Sequence, residues 1–401
     1  MRYYIIAGEA SGDLHASNLM RGLYDEDPQA SIRFRGGDLM KQVYDARDKS
    51  GDGGLTVHYK QGAMMGLSEI LRKAGQLARN IKECKRDIAA WKPDAVILVD
   101  YPGFNFPIAK FAHAKGFKVF WYIAPKTWAS REGRNRKLRR DVDRLFIVFP
   151  FEIPYFTRAD VPFIYKGNPL LDAIGNAPAL QRSRAEFFAE HGLEDRPYIA
   201  MLAGSRKGEI SRMMPVLSQV AAQLKTLPQY RNHQFLLAGA PARSEADYLP
   251  WTGKGSGIKV IFGDTYGILK HADAAVINSG TASLEAALIG TPQVVCWSTT
   301  RFNIFLARKV LRIQDRIKFI SLANLILDKA VFTELIQEDF TAEKVIADLE
   351  SLAPGSERAA AMKEDYAAIR EALGSGGASR AVAASMIELL RQNVPCIEHF
   401  G

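Results

Sequence analysis

The sequence predicts an α/β protein made of two doubly wound, mostly parallel sheets. Three observations carry that prediction. Short apolar runs alternate with amphipathic helical stretches along most of the chain. At 401 residues the chain exceeds what one hydrophobic core usually serves, so two domains are expected. Each unusual cluster of glycine, hydroxyl and charged residues falls just after an apolar run, where doubly wound folds bind ligands.

Taken in order, the first half supplies strands at 3–7, 31–35, 95–99, 118–123 and 145–148. The second half supplies strands at 198–202, 234–238, 259–262, 274–277 and 293–297. Helical periodicity fills the gaps, as in 213–224, and the alanine-rich stretch 359–390 reads as helical throughout. The join lies near Gly167-Asn168-Pro169, which divides the chain into 1–168, 169–360 and a last segment 361–401. A ligand is expected in the cleft where the carboxyl ends of both sheets face each other.

Composition narrows the class. The chain is 47% hydrophobic and 24% charged, and no apolar run is long enough to cross a bilayer. The opening MRYYIIAGEASGDL reads as a first strand rather than a signal peptide. Cys84, Cys296 and Cys396 are far apart and form no CxxC pair, which fits a reducing cytoplasm and offers no metal site. The net charge of +9 favours polyanions, and much of it sits in 131–140, REGRNRKLRR. The bland alternative for that run is a solvated helix face. It has no RNP-like aromatics and no zinc-finger spacing, so nucleic acid is not the preferred anion.

The stretch NSGTASLEAALIGTP, 278–292, reads as a strand end, a small-residue turn and a helix stopped by Gly290. Ser279, Gly280 and Thr281 leave backbone N–H groups open at a helix N-terminus, which suits a phosphate. Glu285 follows within one turn. Alternatively Ser279 or Thr281 caps the helix and Glu285 complements its dipole. A second anion element is AGSRKGE, 203–209. Arg206 and Lys207 open a helix there, where the dipole disfavours cations and a bound anion would repair the mismatch. If both elements share one sheet edge, Ser205, Arg206, Ser279, Gly280 and Thr281 suit a diphosphate, and Glu285 a ribose.

In the first half, Ser11, Gly12 and Asp13 lie in GEASGD, 8–13, which matches no phosphate-loop pattern and equally suits a hydroxyl-rich ligand or a helix cap. Asp100 ends an apolar strand in VDYPGFN, 99–105, where a carboxylate is costly without a partner or a task. It is a general-base candidate; the alternative is an aspartate bonded to its own turn. Met64, Met65, Leu67, Ile70 and Leu71 form an apolar stripe flanked by Arg72, Lys73 and Arg79. Such a stripe ordinarily packs in a core, but it also suits an interfacial helix or acyl groove. No HExxH, EF-hand or GxSxG pattern occurs, so a metal hydrolase or serine triad is not expected.

Together these pieces resemble the lipid-A-disaccharide synthases, glycosyltransferases of Gram-negative envelope biogenesis. The matching segments are AGEASGD (7–13), MGLSEIL (65–71), PDAVILVDYPGFN (93–105), APKTWAS (124–130), FPFE (149–152), AGSRKGEI (203–210), SGTASLEAAL (279–288) and FISLANLI (319–326), in family order. The resemblance implies a GT-B fold with the nucleotide in the C-terminal domain and the acceptor in the N-terminal one. It implies transfer of 2,3-diacylglucosamine from its UDP derivative to 2,3-diacylglucosamine 1-phosphate, giving a β-1,6 disaccharide 1-phosphate and UDP. It makes Asp100 the base on the acceptor 6-hydroxyl, Arg206 a phosphate or catalytic residue, Glu285 the ribose ligand and Asn324 a donor-site residue. It turns the Met64–Leu71 stripe into a membrane or acyl contact of a peripheral inner-membrane protein on the cytoplasmic side. Some members are homodimers through C-terminal exchange, so the resemblance implies that 361–401 either packs back on the first domain or is exchanged in a dimer.

The chain departs from the family pattern at several positions. Asn168 stands where many members have histidine, Lys126 and Ser130 replace a commoner serine and tryptophan, and Gly103 replaces a frequent second acid, leaving Asp100 alone in its motif. The expected mechanism is one in-line displacement that inverts α to β. The leaving diphosphate is held by helix N-termini and Arg206, with no cofactor and no metal, because no DxD-like acidic pair adjoins the phosphate elements. The rivals are a UDP-sugar 2-epimerase on the same fold, and a non-catalytic basic lipid-binding protein.

Overall fold

The computed structural model describes the chain except for residues 63–68, 301–317 and 393–401; of residues 61–74 only backbone is described. The chain packs as two units, Met1–Ala173 with the segment from Ser375 onward, and Ile174–Gly374.

The first unit is built on a parallel sheet. Its strands are β1 (Arg2–Ala7), β2 (Ser31–Gly36), β3 (Gly54–His58), β4 (Ala95–Val99), β5 (Lys118–Tyr122), β6 (Arg144–Ile147) and β7 (Phe163–Tyr165), in spatial order β3-β2-β1-β4-β5-β6-β7. The order reverses between β1 and β4, which pair with Ala7 opposite Val99. Successive side chains point to opposite faces, so one strand feeds two cores. Tyr3, Ile5 and Ala7 join Ile97, Tyr122 and the helix Ala10–Glu26 on one face. Tyr4 and Ile6 join Leu98, Trp121 and residues of the helices Glu69–Trp91, Pro102–Ala114 and Asn135–Asp141 on the other.

The second unit repeats the plan with β8 (Tyr198–Leu202), β9 (Gln234–Gly239), β10 (Ile258–Phe262), β11 (Ala274–Asn278), β12 (Gln293–Trp297) and β13 (Glu334–Ile336), in order β10-β9-β8-β11-β12-β13, all parallel. Here the reversal falls between β8 and β11.

The stretch expected to be helical over 359–390 is two helices, Glu357–Leu373 and Ala378–Arg391. The break is GSGG, with Gly374 at φ 86° and Gly377 at φ 94°, backbone that favours glycine. The second of these helices buries Val382, Ala383, Met386 and Ile387 against the first unit's core. It lies so close to Gly22 that a Cβ there would be 2.9 Å from the Arg380 Cα. Asp172 caps it, accepting from the N–H groups of Gly377 and, at 2.7 Å, Ser379.

Candidate active site

In the second unit β8 and β11 are neighbours, with Ile277 opposite Leu202. The turns that leave their carboxyl ends therefore share one sheet edge. Gly204 packs so tightly there that a Cβ would lie 2.7 Å from Asn278 Nδ2. This brings Ser205 and Arg206 beside Ser279, Gly280 and Thr281. The helix Thr281–Ile289 starts at Gly280 without a capping side chain, and Gly290 ends it at φ 101°. First-turn N–H groups of a helix lack intrahelical partners. Ser279 N–H is already committed to the Cys296 carbonyl at 2.7 Å, and Ser283 Oγ donates to the Gly280 carbonyl at 2.8 Å.

Glu285 lies one turn into that helix and is half-buried. Tyr266 donates its hydroxyl to Glu285 Oε1 at 2.8 Å. Burial raises the carboxyl pKa, and the Tyr266 bond opposes that rise. Tyr266 stands in the helix Thr265–Lys270 after β10 and has no motif of its own, so its role was not legible in the sequence.

The structure gives two of the expected residues internal partners. The cationic start of the helix Lys207–Leu224 does not wait for an outside anion. Glu209 accepts from the backbone N–H groups of Ser205 at 3.0 Å and Arg206 at 3.2 Å, and pairs with Arg206 Nη1 at 3.2 Å. An internal carboxylate thus supplies the compensation the dipole calls for. The Arg206 side chain remains 66% exposed. Asn324 is buried and spends its amide internally. It donates to the Phe332 carbonyl and Glu334 Oε1, both at 3.1 Å, and accepts from Val331 N–H at 2.9 Å. Glu334 in turn accepts from the Ile320 and Ser321 backbone. Asn324 therefore braces the segment 320–334 that leads into β13.

In the first unit the loops after β1 and β4 meet. Gly8 lies under the Tyr101 ring, where a Cβ would approach Cδ1 to 2.3 Å, and Tyr101 stacks on Phe104 with centroids 5.5 Å apart. Asp100 is exposed, so desolvation at a strand end is not what marks it. Its backbone does. Asp100 has φ 42° and Tyr101 φ 48°, two successive non-glycine residues in the left-handed region. Such strain persists only where surroundings over-determine it. Here Asp100 N–H donates to the Tyr122 carbonyl at 3.0 Å, and buried Asn105 Nδ2 donates to the Asp100 carbonyl at 2.7 Å.

Ser11, Gly12 and Asp13 occupy the first turn of Ala10–Glu26. Ser11 is exposed and Gly12 buried. Asp13 is 2% exposed and accepts from Gly37, Leu39 and Met40 N–H at 2.7, 3.0 and 3.2 Å. Its burial raises its pKa and those three bonds oppose it. It is not the N-cap of its own helix; it serves the N-terminal N–H groups of the helix Asp38–Arg47, whose N-cap is Gly37.

Met64, Met65 and Leu67 lie outside the described residues. Ile70 and Leu71 belong to the helix Glu69–Trp91, whose side chains are described from residue 75 on; there Leu77, Arg79 and Lys82 are exposed. No described helix is long and apolar enough to cross a membrane. Glu190, His191 and Asp264 come together as potential metal ligands, but Arg182 bonds both carboxylates and His191 Nε2 meets Asp264 Oδ2 at 2.7 Å. Glu152 was not singled out by the sequence. It is 2% exposed, accepts from Val148 and Phe149 N–H at 3.1 Å each, and burial pushes its pKa up to about 7.

Comparison with known proteins places this geometry. Residues 3–387 match the family described as lipid-A-disaccharide synthetase. The chain is 36% identical over 394 residues to the lipid-A-disaccharide synthase of Geobacter metallireducens, covering 97% of each chain. It is 34% identical over 396 residues to that of Geobacter sulfurreducens, covering 98% of each. Among solved structures it is similar to the UDP-GlcNAc 2-epimerase of Neisseria meningitidis bound to UDP-GlcNAc. The TM-score is 0.65 at 12% identity, over 97% of this chain and 100% of that one, a likeness of fold.

Proposed function

The chain belongs to the lipid-A-disaccharide synthase family, glycosyltransferases that form the lipid A disaccharide, and we propose that it moves 2,3-diacylglucosamine from UDP-2,3-diacylglucosamine to 2,3-diacylglucosamine 1-phosphate. The products are the β-1,6 disaccharide 1-phosphate and UDP. The observation that carries the donor half is the pairing of β8 with β11, which sets Ser205 and Arg206 beside the N-terminus at Gly280–Thr281. N–H groups there receive the diphosphate and the exposed Arg206 guanidinium meets its charge. Glu285, oriented by Tyr266, accepts from the ribose hydroxyls. Asn324 acts as a positioning residue.

On the first unit, Asp100 takes the proton from the acceptor 6-hydroxyl as that oxygen attacks the anomeric carbon. The C–O bond to UDP breaks on the opposite face, which inverts α to β. Negative charge grows on the leaving diphosphate, where fixed dipoles stabilise it more than they stabilise the ground state. Ser11 lines the same edge by position; Asp13 holds the neighbouring helix. The exposed basic side of Glu69–Trp91, carrying Leu77, Arg79 and Lys82, supports peripheral attachment to an anionic membrane face.

The test is a mass-spectrometric assay with both substrates, comparing wild type with Asp100→Asn. Disaccharide 1-phosphate from wild type, with turnover lowered roughly 10²- to 10⁴-fold in the variant, is the expected result. Equal product from both would remove Asp100 from its role. Conversion of the donor to its 2-epimer without acceptor would favour the epimerase rival instead.

A further inference from the structure

The basic run 131–140 is not absorbed by that mechanism, and the structure divides it in two. Arg140 pairs with Asp141 at 2.7 Å and Arg139 with Asp160 at 3.9 Å. Among the described residues no carboxylate pairs with Arg131, Arg134, Arg136 or Lys137. So the half that is not neutralised is the half nearer the end of β5. Two of its cations converge. The Arg134 guanidinium lies 5.4 Å and the Lys137 ammonium 5.9 Å from the centroid of the Phe106 ring. Arg131, at φ 60°, opens the segment three residues before Arg134. Its charge and partial burial both depress the Arg134 pKa, burial more strongly.

The location is fixed by two contacts. Phe106 packs on Trp121 in β5 with centroids 4.8 Å apart. The next residue, Tyr122, accepts the Asp100 N–H. The cation group and Asp100 thus belong to adjacent strand ends of one sheet. A ring behind a guanidinium covers its apolar face and leaves the N–H edge for an anion. Three like charges at three-residue spacing repel each other unless an anion joins them. A phosphate monoester carries about −1.5 to −2 charge at pH 7 and three acceptor oxygens, which matches two guanidinium forks and an ammonium better than a carboxylate does.

We propose that Arg131, Arg134 and Lys137 bind the phosphate monoester of the acceptor sugar and so select phosphorylated acceptors. This rests on the transferase reading above, and its test separates the two. Binding of detergent-solubilised diacylglucosamine 1-phosphate and of unphosphorylated diacylglucosamine is measured for wild type and for Arg131→Gln/Arg134→Gln/Lys137→Gln. Sedimentation with vesicles of equal phosphatidylglycerol and phosphatidylcholine is run alongside.

Wild type is expected to prefer the phosphorylated sugar by roughly 10- to 100-fold. The variant is expected to lose the preference, keep its affinity for the unphosphorylated sugar and sediment like wild type. Arg134→Lys should retain part of the preference. A preference that survives the triple substitution, no preference in wild type, or vesicle binding lost together with the preference would each overturn the site; the last would make it a bilayer contact. Should the triple variant fail to fold, Arg134→Gln is read by the same criteria. A wild type that prefers the phosphorylated sugar yet forms no disaccharide would keep the site and sink the transferase reading. Disaccharide formed with equal KM from both sugars would do the reverse.

Discussion

At the scale of single residues, the structure separates groups poised toward solvent from groups spent on the fold. Asp13 and Asn324 stand in family motifs, yet their polar atoms face backbone. Asp13→Ala should cost about 0.5–2 kcal/mol of stability, as for a lost helix cap, with acceptor and donor KM unchanged. Glu285→Gln and Tyr266→Phe should each weaken UDP binding by roughly 3- to 30-fold, measured calorimetrically, without unfolding the protein. Residue identity alone could not make this separation, because an aspartate at a strand end reads the same whether it caps a neighbour or meets substrate.

Glu152 carries a pH prediction. Its pKa is raised from 4.5 to about 7, so the native state holds the proton more tightly than the unfolded chain. Its favourable contribution is complete below about 4.5 and is lost as pH rises through about 7. Over that window wild type should lose roughly 3 kcal/mol relative to Glu152→Gln, which keeps an acceptor for Val148 and Phe149 and does not ionise. Melting curves of both proteins from acid to neutral pH check this; parallel curves would sink it.

At the scale of elements, most interior strands were legible because each is a continuous apolar run buried on both faces; β2, SIRFRG, is the exception. The strands missed, β3, β7 and β13, are three of the four sheet edges; β10, the fourth, was read. All three are only partly buried, and β7 and β13 are three residues long, too short to stand out as a run. The helix break at GSGG was overlooked because alanine-rich periodicity continues on both sides of it. The two turns of the nucleotide edge were each visible as sequence, but their adjacency depends on strand order, which no local pattern contains. The docking of Ala378–Arg391 depends on Gly22 in the same way. Gly22→Val should destabilise the first unit by about 1–3 kcal/mol through overpacking and raise protease cleavage at 374–377. Wild-type cleavage rates in the variant would show that the contact does not hold the helix.

At the scale of the whole molecule, the donor elements proposed above all belong to the second unit and Asp100 to the first. UDP at a hundred times its Kd should therefore add about 2.7 kcal/mol to the second unit. Hydrogen exchange should slow in peptides following β8 and β11 and stay unchanged in those following β1 and β4. Slowing confined to the first unit would relocate the nucleotide.

The return of Ala378–Arg391 to the first unit also orders events during synthesis. The first unit lacks this helix until about 200 further residues have been made, a wait of roughly 10–40 s at typical elongation rates. Through that interval Leu19, Leu23 and the rest of their face lack their covering helix, and the second unit's chain, Ile174–Gly374, is complete before that helix is made. The nascent protein therefore completes the chain of the unit with the proposed nucleotide edge first, and the unit that carries Asp100 is sealed last.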